Sequence, residues 1–154
     1  MVKKAFTVLE ILTVLIIISV LASFILPQFG LSKKSAQVSK ARSDISAIRM
    51  GILLNKNKKL IQGEDAFVDA LDNSTVQASN EPLFGNENIL AYPIISVYGE
   101  DIKSYSWSKI DIHKYRLWLD ISKYKNNFVD FIYDPEKGTF GCDYHYEGCV
   151  NLTQ

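Results

Sequence analysis

Lys3-Lys4-Ala5-Phe6-Thr7-Val8-Leu9-Glu10, continued by an apolar run to Leu26, is the stretch from which the architecture follows. Between Phe6 and Leu26 the only charged residue is Glu10. As a helix rising 1.5 Å per residue, the run spans about 31 Å, the thickness of a bilayer's hydrocarbon core. Lys3 and Lys4 precede it, and the bias of basic residues toward the cytoplasm puts that end inside. The expectation is one crossing, with the rest of the chain outside.

Glu10 separates three readings of this run. A cleaved secretory signal is the first: Val20-Leu21-Ala22 offers a weak small-residue site, but the run is long for such a signal. The second is a plain anchor, giving an uncleaved single-pass extracytoplasmic binding protein that is indifferent to Glu10. Neither explains a carboxylate inside an apolar run, which costs roughly 3 kcal/mol unless it finds a partner. The third supplies that partner. A cut between Ala5 and Phe6 turns the Phe6 nitrogen into an α-ammonium, and Glu10 of a neighbouring copy pairs with it when the helices pack in register.

Basic Lys3-Lys4, small Ala5, then Phe6-Thr7-Val8-Leu9-Glu10 and an apolar helix together resemble the processing motif of type IV pilins and of the pseudopilins of type II secretion. The resemblance is strong over about the first 30 residues and continues more weakly from Lys34 to Asn57. It implies cleavage before Phe6 by an inner-membrane aspartyl prepilin peptidase, N-methylation of Phe6, and a registration role for Glu10. Pro27 falls where the family kinks its helix. The family usually carries Gly before the cut, whereas this chain has Ala5, the next smallest residue. The division implied is a leader over 1–5, a transmembrane and assembly helix over 6–30, and a head over 31–154 that includes the amphipathic half of the spine helix. Implied partners are other pilin or pseudopilin subunits, the peptidase, an inner-membrane platform protein and an assembly ATPase. The function implied is a structural subunit, stored in the bacterial inner membrane with its head in the periplasm. It then joins a filament serving protein secretion, DNA uptake in competence, or adhesion.

Beyond Pro27 and Gly30 the sequence turns polar but keeps a helical period. Val38, Ala41, Ile45, Ile48 and Ile52 recur at three and four, one face of a helix predicted over about Ser32–Asn55. A proline at position 27 lacks the N–H of a helical turn and predicts a bend there. Lys33, Lys34, Lys40, Arg42, Arg49, Lys56, Lys58 and Lys59 make this stretch basic. Contact with DNA or anionic lipid is one reading. A solvated or charge-paired helix face is the simpler one, because no aromatics interleave and acids follow directly. The formal net charge is zero, so no global field points to nucleic acid.

Glu64–Asp72 reads as a short helix with Phe67, Val68 and Leu71 as its apolar side, and Asn73–Asn88 as a surface loop. Strands then follow: Ser104–Ile110, Tyr115–Ile121 with period-two alternation, Phe128–Tyr133 and Thr139–Tyr144. Asp134-Pro135-Glu136-Lys137-Gly138 is a turn between the last two. Consecutive strands with short connections predict an antiparallel sheet, and a helix covering one face makes the class α+β. Pilins share that plan. Cys142 and Cys149 form a disulfide if the head lies in an oxidising compartment and stay as thiols if it does not. The resemblance implies the disulfide, since pilins close a C-terminal loop this way.

No catalytic constellation is found, and no cofactor is expected. Cys142, His145 and Cys149 with Asp143 match no standard zinc spacing. His113 lies beside Asp111 and Lys114 between two strands, a surface position. Asp130, Asp134, Glu136 and Asp143 are scattered over strands and a turn and form no calcium loop.

Overall fold

The computed structural model describes residues 7–122 and 126–153, and for residues 24–32 it describes the backbone alone. Two compact units emerge, one ending at Gln37 and one spanning Val38–Gln154.

Helix α1 runs Val8–Ile61. Thr7 starts it: its hydroxyl accepts the backbone N–H of Glu10 at 3.3 Å, the N-cap bond that satisfies an otherwise orphaned donor. Thr7-x-x-Glu10 is also the spacing of a capping box. Among the described residues, no helix is long and apolar enough to cross a membrane. Of the Phe6–Leu26 run, side chains are described from Thr7 to Ser23. The bend anticipated at Pro27 lies outside the residues with described side chains. At the other end Gly63, at φ 85°, lets Glu64 N–H reach back to the Lys59 carbonyl at 2.9 Å, a Schellman-type stop.

The second unit is α+β. A four-stranded antiparallel sheet has the order β3 (Trp107–Asp111), β4 (Lys114–Trp118), β5 (Phe128–Asp134), β6 (Thr139–Cys142). A small antiparallel pair joins β1 (Pro82–Leu83) to β2 (Ile94–Ile95), and a last helix, α2, spans Glu147–Thr153. Register pairs Trp107 with Leu117, Tyr115 with Phe131, and Tyr133 with Phe140. These residues are buried in one core with Ala41, Ile45, Ile48 and Ile52 of α1, the face that the three-and-four spacing marks. Gly51 lies on the same side, where a Cβ would stand 2.0 Å from the Ile89 carbonyl oxygen. Only glycine admits that approach.

The expected helix over Glu64–Asp72 is not formed. Its carbonyls go to tertiary donors instead: Val68 takes the Tyr133 hydroxyl at 2.6 Å, Ala70 the Asn86 amide at 2.8 Å, and Leu71 the Asn86 N–H at 3.0 Å. Val68 and Leu71 still reach the core, from an extended strap. The expected loop over Asn73–Asn88 holds more structure than anticipated. It contains β1 and carries Phe84 into the core at φ 58°, tilted on Tyr115 at 4.6 Å between ring centroids.

Candidate functional site

Of the residues singled out in the N-terminal run, Ala5 and Phe6 lie outside the described residues, and so does the side chain of Pro27. Glu10 sits in the first turn of α1 with its side chain exposed. A carboxylate there is favoured by the partial positive charge of a helix N-terminus. Apolar neighbours surround it: Val8 and Leu9 are more than three-quarters exposed, and exposure continues through Ile11, Leu12 and Val14 to Leu21. The hydroxyls in this half turn back on the helix. Thr13 donates to the Leu9 carbonyl at 2.9 Å, Ser19 to Leu15 at 2.7 Å and Ser23 to Val20 at 2.7 Å. Their hydrogen bonds are thus met within the helix. Among the described side chains from Val8 to Ser23, what this half offers outward is mostly hydrocarbon and one carboxylate.

In the head, Cys142 and Cys149 form a disulfide that joins the end of β6 to α2, with Cα atoms 5.8 Å apart. Both thiols are consumed, so the drawn Cys-His zinc set is not available. Asp143 organises the enclosed loop: the His145 N–H donates to it at 2.9 Å, and the imidazole Nδ1 lies 3.0 Å away. These bonds, the backbone one foremost, hold the Asp143 carboxyl below the usual range. Two arginines of α1 reach this region. Arg42 Nε donates to the Asn151 carbonyl at 3.0 Å and Arg49 Nε to the Phe140 carbonyl at 2.8 Å.

Three of the scattered acids, Asp130, Asp134 and Asp143, have partners within the chain. On the outer face of the sheet, Asp130 accepts Arg116 Nε at 2.7 Å and pairs with Lys114 at 2.9 Å. Burial raises the Asp130 carboxyl, but the two hydrogen bonds and cationic charges outweigh it and hold it low. Asp134 takes the N–H groups of Glu136 and Lys137 in the turn before β6. Three bases of the α1 stretch also pair with carboxylates of the same chain: Lys40 with Asp44, Lys56 with Asp65, and Lys59 with Glu87.

Sequence reasoning missed the buried pair of Asp72 and Lys109. Their side chains are 1% and 5% exposed, and Nζ lies 2.7 Å from Oδ1. Lys109 also donates to the Ser74 carbonyl at 2.9 Å, while Asp72 accepts the N–H of Ser74 and of Phe84. The hydroxyl of Tyr115 is buried nearby. Burial first, then the Asp72 charge, drives its phenol far above the ordinary value. The pair fastens the strap to β3, and Asp72 also lines a cleft of about 520 Å³ bordered by Asn73, Glu81 and Pro93. The one hint in the sequence is a lysine two residues beyond Trp107, the alternation that shares a sheet face.

Comparison with protein-family models, with curated proteins and with solved structures finds no match to this chain.

Proposed function

We propose that the chain is a structural subunit of a type IV pilus-like filament, a pilin or pseudopilin without catalysis of its own. The observation that carries the reading is the spacing at the N-terminus: Lys3-Lys4-Ala5, then Phe6, then Glu10 as the only charge of an apolar run. Two features support it. The apolar half of α1 leaves its hydrocarbon exposed and its hydroxyls internally bonded, which suits it to lipid and to a bundle of like helices. Among the described residues, the buried core of the head begins at Ala41.

The mechanism follows from those parts. The apolar half is stored in the inner membrane with the head in the periplasm. A prepilin peptidase removes Met1–Ala5 and exposes the Phe6 amine, which is then methylated. A platform protein and an assembly ATPase draw the subunit out. Glu10 meets the Phe6 ammonium of a neighbour and relieves the cost of burying each charge alone. Pro27 bends or loosens the helix between its two halves.

Peptide mass spectrometry on the membrane fraction tests the reading. A mature chain beginning at N-methylated Phe6 is expected, whereas an intact Met1 favours an uncleaved anchor and a start near Ser23 a secreted protein. Glu10→Leu should leave insertion and cleavage unchanged and lower filament incorporation at least tenfold. Normal incorporation of that variant would remove the pairing mechanism. Which process the filament serves, secretion, adhesion or DNA uptake, is decided by a deletion strain assayed for each.

A further inference from the structure

Lys109 and Asp72 are an amine and a carboxyl group held in contact away from water. Both side chains are more than nine-tenths buried, and Nζ lies 2.7 Å from Oδ1. Nζ is held a second time by the Ser74 carbonyl at 2.9 Å. The carboxyl is held at both oxygens, Oδ1 by the Ser74 N–H at 3.1 Å and Oδ2 by the Phe84 N–H at 3.3 Å. Tyr115 stands opposite Lys109 in the β3–β4 ladder, so the two side chains share one face of the sheet. Its hydroxyl is buried, and the Asp72 charge reaches it. Phe84, whose N–H binds Asp72, packs its ring on Tyr115 and Trp107, which places hydrocarbon beside the pair.

We propose that Lys109 and Asp72 condense, once the head has folded, into an intramolecular isopeptide bond between Nζ and Cγ. In water an ammonium and a carboxylate do not react. In the core, a proton passing from Nζ to Oδ1 removes two buried charges and leaves an amine and a carboxylic acid. Contact between the two supplies the proximity that free reactants lack. The amine attacks Cγ, and the charge that develops on Oδ2 already faces the Phe84 N–H. The Nζ–Cγ bond forms and the Cγ–Oδ1 bond breaks. Nitrogen gives up one more proton, and the Tyr115 hydroxyl is the group placed to carry it to the departing oxygen. Ammonium and carboxylate thus become one amide and one water. Nothing is oxidised or reduced, and no co-reactant is consumed. The water has a way out, because Asp72 lines the cleft bordered by Asn73, Glu81 and Pro93. The bond ties two positions 37 apart and fastens the strap to β3 in a form that reductant, which opens Cys142–Cys149, leaves intact. It belongs to the head alone and requires neither cleavage before Phe6 nor assembly.

Mass spectrometry of the full-length chain, extracted in detergent and then denatured, tests the bond. The intact mass is expected about 18 Da, one water, below that of the same chain with its disulfide alone. Proteolysis should release one fragment that joins the Lys109 peptide to the Asp72 peptide and survives reductant. Two separate, unmodified peptides overturn the proposal. So does a loss of water confined to the Asp72-Asn73 peptide, which is a cyclic imide and not a crosslink. Lys109→Arg keeps a cation beside Asp72 but offers no amine for the reaction, so that variant should keep its full mass. A water loss that persists in it overturns the assignment to Lys109. Tyr115→Phe supplies the last measurement. In freshly synthesised chain followed over time, it should slow the water loss by at least about tenfold. Loss at the parent rate overturns the part given to the Tyr115 hydroxyl.

Discussion

The two ends of α1 solve the same problem differently. From Ala41 to Ile52 the helix buries one apolar face against a sheet that the same chain provides. From Val8 to Leu21 it exposes apolar side chains on every side. A helix gains most of its stability from packing rather than from propensity, so the first segment has its packing partner in the sheet, and the second has it in a filament or bilayer only on the proposed reading. The difference teaches where to look for each kind of failure. Damage to the head should show in unfolding, and damage to the apolar half should show in assembly if the chain is the filament subunit proposed.

The largest effect expected on the head comes from Lys109→Met. It leaves Asp72, 1% exposed, as a buried carboxylate without its cation, and should cost about 3–5 kcal/mol in a urea titration. A loss under about 1 kcal/mol would show that the Asp72 loop relaxes into water. Next is Gly51→Ala. The new methyl meets the Ile89 carbonyl oxygen at 2.0 Å, so α1 or the turn must move, at about 3 kcal/mol. Retained stability would mean that α1 and the Asn86–Asn88 turn are not held together as tightly as that distance implies.

Replacing Cys142 and Cys149 by Ser should cost about 2 kcal/mol, read as a lower midpoint that added reductant no longer shifts. An unchanged midpoint would place the stability of α2 in its packing alone. Smallest is the acid response of the outer sheet face. The Asp130 carboxyl is lower in the folded head than in the unfolded chain, whose value is about 3.9. Its contribution is therefore present above that pH and is lost as pH falls through the folded value. Asp130→Asn should remove well under 1 kcal/mol at neutral pH and flatten the acid limb of the stability profile. If the chain is processed as proposed, none of these four changes should alter cleavage before Phe6, which would confine their effects to the head.

Much of this division is legible in the sequence because each half of α1 carries a strong signal: an apolar run with Glu10 as its one charge, then Ala41, Ile45, Ile48 and Ile52 at three and four. The strands alternate, and Asp134-Pro135 to Gly138 marks its turn, with Gly138 at φ 63° and packed so closely by Phe67 that a Cβ would stand 2.2 Å from the ring. Residues 64–98 were harder. A ladder of two residues per strand has no period to read, and Phe84 takes a left-handed backbone that only its burial among Trp107, Tyr115 and Phe140 sustains. Tertiary packing there overrides local preference. Helix α2, seven residues long, is too short to show amphipathic repeats. At the candidate site Glu10 was conspicuous as a lone charge among hydrocarbon. Asp72 and Lys109 were hidden because they lie 37 positions apart and only the fold brings them together.

The latching of α1 onto the end of the head also has a mechanical meaning. Arg42 holds the Asn151 carbonyl of α2 and Arg49 the Phe140 carbonyl of β6, and a covalent sulfur bridge ties β6 to α2. A pull applied along α1 thus enters the sheet at two separate guanidinium anchors, whose far ends are themselves fastened to each other. The load is divided between the last strand and the last helix, and neither can peel away without dragging the other. If the chain serves in a fibre under tension, the segment from Phe140 to Asn151 would be a strain-bearing buckle.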